Sequence, residues 1–104
     1  MSSYLIIKAR TAPGGQLTEA VMRQMELAPD GDKVLGLMDE QHWGAASIAN
    51  LIACGHSVYV GVQDHHGDWI YGDEVRVVGP HAELQSVDDE GLRTYSLAKV
   101  PPMA

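Results

Sequence analysis

Residues 56–84 read HSVYVGVQDHHGDWIYGDEVRVVGPHAEL, and this stretch decides the fold. Val58, Val60 and Val62 alternate with Tyr59 and Gln63, the period-two pattern of a strand with two different faces. A second strand-like segment, Trp69 to Val78, carries Ile70, Val75 and Val77 as its apolar positions. Between them lies the polar break Asp64-His65-His66-Gly67-Asp68, short and glycine-containing, so the two segments are predicted to double back as a β-hairpin. Gly72-Asp73 falls inside the second strand and predicts a bulge that resets which side chains face inward.

Upstream of the hairpin, Trp43 to Cys54 is predicted to be a helix. Ala45, Ile48, Leu51 and Ile52 share one side, and Gly55 follows as a stop, since glycine enters the left-handed conformation without steric cost. Trp43 is expected to open this helix and plug one end of the core. Tyr4 to Ala9 reads as the first strand, and residues 10–16, with Thr11, Pro13, Gly14 and Gly15, as a loop. Thr18 is placed to cap a short helix with Glu19 in its first turn. Leu17, Val21, Met25 and Ala28 recur every four residues on one face of that helix, which Pro29-Asp30-Gly31-Asp32 ends. Val34 to Met38, interrupted by Gly36, reads as a short strand. Gly79-Pro80 is a break, Ala82 to Val87 a final edge strand, Asp88-Asp89-Glu90-Gly91 an acidic turn, and the chain from Arg93 onward extended.

At 104 residues there is room for one domain and one core. The expected architecture is a single α+β domain: an antiparallel sheet of four or five strands packed against the Trp43–Cys54 helix, with a second short helix from Thr18. Fourteen acidic against seven basic residues give a net charge of −7. A surface of that sign repels nucleic acid and anionic membranes, and the basic residues stand singly. A protein partner is expected instead. Cys54 is the single cysteine, so neither an internal disulfide nor a thiolate metal cage is available. No charged leader precedes a long apolar run, and no apolar stretch approaches the ~20 residues of a membrane helix. A cytoplasmic location is the resulting expectation.

Several segments taken in order resemble a known family. They are the tryptophan-led helix ending at Gly55, Val58-Tyr59-Val60, Glu74-Val75-Arg76-Val77-Val78, Ala82-Glu83-Leu84-Gln85-Ser86, and the closing Tyr95-Ser96-Leu97-Ala98-Lys99-Val100-Pro101. Together they resemble a widespread family of small bacterial proteins catalogued as a domain of unknown function. The likeness covers residues 43–104. Ala82-Glu83-Leu84-Gln85 stands where the family has an aromatic residue and an arginine, Ser96-Leu97 replaces Asn-Leu, and Leu17 to Ala28 has the character of an added element. The resemblance implies a compact α+β fold and carries over no active residue.

Chemistry concentrates at the hairpin break. His65 and His66, with Asp64 and Asp68, offer imidazole and carboxylate ligands to a divalent transition metal. Adjacent strand residues point to opposite faces, so the histidines converge only if the turn twists them together. The alternative is a solvated turn with Gly67 at a positive backbone angle and an aspartate bonding local amides. His42 and His56 bracket the predicted helix, with His56 at its dipole-negative end, and His81 is expected to be exposed. Cys54 lies in the last helical turn, whereas reactive cysteines favour the opposite end. No serine occupies a Gly-x-Ser-x-Gly elbow, Gly14-Gly15 lacks a phosphate-loop context, and Asp88-Asp89-Glu90 lacks calcium-loop spacing. No catalytic residue and no cofactor is assigned.

Trp69 and Tyr71 share a strand face, and Tyr59 can join them. Left exposed, the three form an aromatic interaction patch; covered by a helix, they are core. Three functions from different classes follow. The first is a non-catalytic module that binds a protein through a sheet edge or the Trp69/Tyr71 face. The second is an acidic inhibitor or nucleic-acid mimic acting on a nucleic-acid-binding enzyme. The third is a small metal-binding protein using His65 and His66. An uncovered edge strand also allows a homodimer.

Overall fold

Six strands and one helix make up the computed structural model, which describes residues 2–27, 34–80, 82–87, 97 and 100–103. In chain order they are β1 (Ser3–Thr11), β2 (Leu17–Leu27), β3 (Val34–Gly44), α1 (Ala45–Ala53), β4 (Ser57–Gln63), β5 (Trp69–Val78) and β6 (Glu83–Val87). The strands form one sheet in the order β3-β2-β1-β4-β5-β6. Every neighbouring pair is antiparallel except β1 and β4, which run parallel. The sheet is therefore mixed and six-stranded, not antiparallel with four or five strands.

The central position of β1 follows from its composition. Leu5, Ile6 and Ile7 are consecutive and all buried, so both faces of the strand are covered, as the run of apolar residues requires. Ile6 belongs to a main core with Ala9, Leu17, Ala20, Met22, Ile48, Val58, Val60, Val75 and Leu84. Leu5 and Ile7 belong to a second cluster with Met25 on the opposite face.

Helix α1 lies on the main core. Ile48 is its buried anchor, and Ala45, Ala49 and Ile52 flank it at helical spacing. Its end is a complete Schellman arrangement. Gly55 takes φ +92°, its N–H donates to the Ile52 carbonyl at 3.0 Å, and the His56 N–H donates to the Leu51 carbonyl at 3.1 Å. The helix begins two residues later than expected. Trp43 sits in β3, half-buried against the main core and edge-on to Tyr4 with ring centroids 5.9 Å apart. Its indole N–H has no hydrogen-bond partner among the described residues.

Leu17–Leu27, expected as the second short helix, is strand β2. A spacing of four is a multiple of the strand period as well as near one helical turn, so Val21 and Met25 do not separate the two structures, and Leu17 faces the opposite core because the register shifts after Arg10. β2 lies between β1 and β3, and both of its faces are apolar: Ala20 and Met22 enter the main core, Val21 and Met25 the second cluster. Among the described residues there is no second helix. Part of the covering role falls to Leu97 and Val100, both buried against the main core.

The predicted hairpin forms as expected. The register runs Gln63↔Trp69, Val62↔Ile70, Gly61↔Tyr71 and then Tyr59↔Glu74, so β5 holds an extra residue at the Gly72-Asp73 bulge. Gly61 is required where it stands: a Cβ there would lie 2.6 Å from the Ile6 carbonyl oxygen and 2.8 Å from Leu5 Cγ. The expected Val34–Met38 strand runs on to Gly44, with its own bulge at Met38-Asp39 between the pairs Met25↔Leu37 and Arg23↔Glu40. Arg23 satisfies carbonyls at that bulge, donating to Met38 O at 2.6 Å and to Leu37 O at 3.5 Å. Pro29-Asp30-Gly31-Asp32, His81, Asp88-Asp89-Glu90-Gly91 and most of the stretch from Arg93 lie outside the described residues.

Candidate interaction face and hairpin turn

The aromatic side chains gather as their strand parity requires. Tyr59 and Tyr71, on neighbouring strands, have ring centroids 4.9 Å apart with planes tilted by 55°. Together with Trp69 they pack onto Leu5, Ile7 and Met25, on the face opposite the helix. All three are half-buried. The face is thus neither bare nor roofed by a helix. The sheet coils so strongly that β3 approaches β5 although three strands lie between them. Leu37 of β3 consequently joins the same cluster as Trp69 and Tyr71 of β5. Buried aliphatic side chains hold one side of the aromatic group, and the other side reaches the surface.

Polar groups also bridge the strands near this face. Glu19 on β2 receives two partners: Arg10 Nη1 of β1 lies 2.8 Å from its Oε1, and His42 Nε2 of β3 lies 2.8 Å from its Oε2. The hydrogen bond from His42 is the chief cause that holds the Glu19 carboxyl below its usual value, with Arg10 adding to it against a smaller desolvation effect. Arg76 and Glu74, two residues apart on β5, pair at 2.7 Å. The Arg10–Glu19–His42 group depends on residues 17–27 being a strand, since a helix there would give Glu19 no cross-strand partners. The signal that reveals it is the turn-rich Ala12-Pro13-Gly14-Gly15 between two strands, which makes Arg10 and Glu19 cross-strand partners.

At the hairpin tip the turn is closed by its own backbone and by Asp64. Gly67 takes φ +84°, and its N–H donates to the Asp64 carbonyl at 3.0 Å. Asp64 Oδ1 accepts from the His66 N–H at 2.8 Å and from the Asp68 N–H at 3.0 Å. Desolvation raises the Asp64 carboxyl, but these two amide bonds and the neighbouring imidazoles outweigh it and leave the group below its ordinary value. His65 and His66 do come together, with ring centroids 4.0 Å apart. Asp64 spends its Oδ1 on the turn's own backbone, and no group of three His, Cys, Asp or Glu able to hold a metal occurs among the described residues.

The remaining expected residues are placed apart. His56 Nδ1 accepts the Ser2 N–H at 3.0 Å, tying the start of β1 to the end of the helix. Cys54 is exposed. Among the described residues no helix is long and apolar enough to cross a membrane. Compared with protein-family models, with curated proteins and with solved structures, the chain matches none.

Proposed function

We propose that this protein is a non-catalytic interaction module that docks another protein on the Tyr59, Trp69 and Tyr71 face. The observation that supports this reading is the half-buried aromatic group on the sheet face opposite α1, seated on fully or nearly fully buried Leu5, Ile7 and Met25. Rings held from below lose little freedom when a partner closes over them, and Trp and Tyr are the residue types that dominate binding energy at protein interfaces. The β3 edge is the poorer docking surface. Its bulge and its exposed Asp39 and Glu40 resist strand addition.

The acidic-mimic reading needs carboxylates in one stripe. Among the described residues Glu19 is engaged on β2, Glu74 on β5 and Asp64 in the hairpin turn, which favours the interaction module. A cytoplasmic location and kinship with the family of small bacterial proteins belong to the same proposal. The order of a Gly-terminated helix, the hairpin and the valine-rich strand supports the kinship.

The test compares affinity capture from the native host by the wild-type chain and by Trp69→Ser, with circular dichroism as the folding control. The reading expects a reproducible protein partner that is recovered by wild type, lost by the variant, and rebinds as a purified pair. Equal recovery by both chains overturns it.

A further inference from the structure

The parallel pairing of β1 with β4 is short. It runs from Ser3↔Ser57 to Ile6↔Val60 and stops, although β1 continues to Thr11 and β4 to Gln63. At the same point β1 carries an extra residue relative to β2, between the pairs Ile6↔Met22 and Lys8↔Val21. The two parallel strands therefore diverge, and among the described residues no strand of the sheet continues the pairing along that edge of β1 beyond Ile6. An unpaired edge next to a core is a template for an extended chain.

That template is occupied by the protein itself. The Ala9 N–H donates to the Pro101 carbonyl at 3.0 Å, and the Met103 N–H donates to the Ala9 carbonyl at 3.3 Å, a parallel bridge between Ala9 and Pro102. Val100 is buried beside it in the main core, whereas Pro101 and Pro102 face solvent. The segment suits the site chemically. Proline has no N–H to leave unsatisfied, and its fixed φ keeps the chain extended between the two bonds. Among the described residues the backbone hydrogen bonds that hold the chain beyond Val100 are these two, both to Ala9.

We infer that the fork where β4 leaves β1 is a peptide-binding groove, held shut by the chain's own Val100–Met103 segment. Its ligand class is an extended segment of another protein in which a branched aliphatic residue precedes a proline pair. The aliphatic side chain takes the Val100 site, and the backbone offers a carbonyl and then an N–H to Ala9. The groove uses none of Tyr59, Trp69 and Tyr71 and stands independently of the reading above. A tethered occupant competes at an effective concentration of the order of millimolar, so the groove is autoinhibited and opens to a partner only when its own segment is released.

Fluorescence anisotropy with a labelled synthetic peptide Ala-Lys-Val-Pro-Pro-Met-Ala, the sequence of residues 98–104, tests this on the full chain. In Val100→Asp the resident segment loses its buried anchor. The variant is expected to bind the probe at least about tenfold more tightly than wild type, because the competent state is no longer a minor one. A probe with Asp in place of its Val should bind neither chain. Equal binding of the probe to wild type and to a folded Val100→Asp, or no binding to either, overturns the proposal. If Val100→Asp does not fold, Val100→Ala serves instead, since it shortens the buried anchor of the resident segment without burying a charge. It too must tighten probe binding, and failure to do so overturns the proposal equally.

Discussion

Residues 17–27 and residues 45–53 both space their apolar side chains at about one helical turn, yet the first is a strand and the second a helix. The difference lies in what stands off the stripe and what stands at the ends. In 45–53 the anchors Ala45, Ile48, Ala49 and Ile52 follow the 3.6-residue period, and Gly55 provides a left-handed stop. In 17–27 the four-residue interval from Val21 to Met25 also satisfies a period of two, Leu17 reaches the opposite core across the register shift after Arg10, and Met22 lies at the flank of a helical stripe through Leu17, Val21 and Met25. Met22 is fully buried. The composition of 17–27, rich in Leu, Glu, Ala, Met, Arg and Gln, favours a helix locally. Partners on both sides override it: β1 and β3 supply two ladders of hydrogen bonds, and the two faces find two different cores. A local preference of a few tenths of a kcal/mol per residue yields to that.

Substitutions can break this comparison at either region. The largest effect is expected at Met22. As part of a helix it would sit at the margin of the buried stripe, where a charge can reach water; in β2 its replacement, Met22→Asp, buries an unpaired carboxylate and should cost more than about 4 kcal/mol, read as loss of cooperative unfolding by urea denaturation. Next is Gly55→Ala, which forces a Cβ into the left-handed region at φ +92° and should cost about 1–2 kcal/mol. The same assay would show no cost if the helix stop were dispensable. Smaller still is Thr18→Ala. A helix N-cap would lose about 1 kcal/mol, whereas the exposed hydroxyl donating to the Arg10 carbonyl at 3.0 Å in the strand should change stability by less than about 0.5 kcal/mol.

The smallest effect sharpens the comparison by pH. Because the Glu19 carboxyl is held below its usual value when folded, the unfolded chain binds its proton first as pH falls. The carboxylate's contribution is present above the unfolded value and is lost as pH drops through the folded one. Denaturation of wild type and Glu19→Gln at low salt should therefore show a wild-type advantage at neutral pH that vanishes in acid. Added salt should weaken it, because the pairs are exposed. A constant difference across that range would mean that Arg10 and His42 do not hold the carboxylate.

The candidate site was legible in parts for the same reason. That Trp69 and Tyr71 share a face follows from parity alone, and Tyr59 joins them because the hairpin register, bulge included, was already written in the alternation of residues 58–78. What seals their lower side was not legible. Besides Leu5, Ile7 and Met25, part of the coverage comes from Leu37 of β3, a strand separated from β5 by three others in the sheet, through coiling that no local pattern encodes. The Asp64 carboxylate illustrates the converse. An aspartate opening a turn that ends in glycine is a backbone-bonding residue by local geometry, so its use on the His66 and Asp68 amides needed no tertiary information.

Periodicity and punctuation, both properties of a few neighbouring residues, determined the hairpin, the bulge, the glycine-ended helix and the first strand of this protein. Only the tertiary structure decided that residues 17–27 are extended, that β1 and β4 run parallel at the centre of a six-stranded sheet, and that the Val100–Met103 segment completes the β1 edge. Each of those rests on hydrogen bonds and side-chain contacts between segments far apart in the chain. Their energy exists only once the partners are assembled.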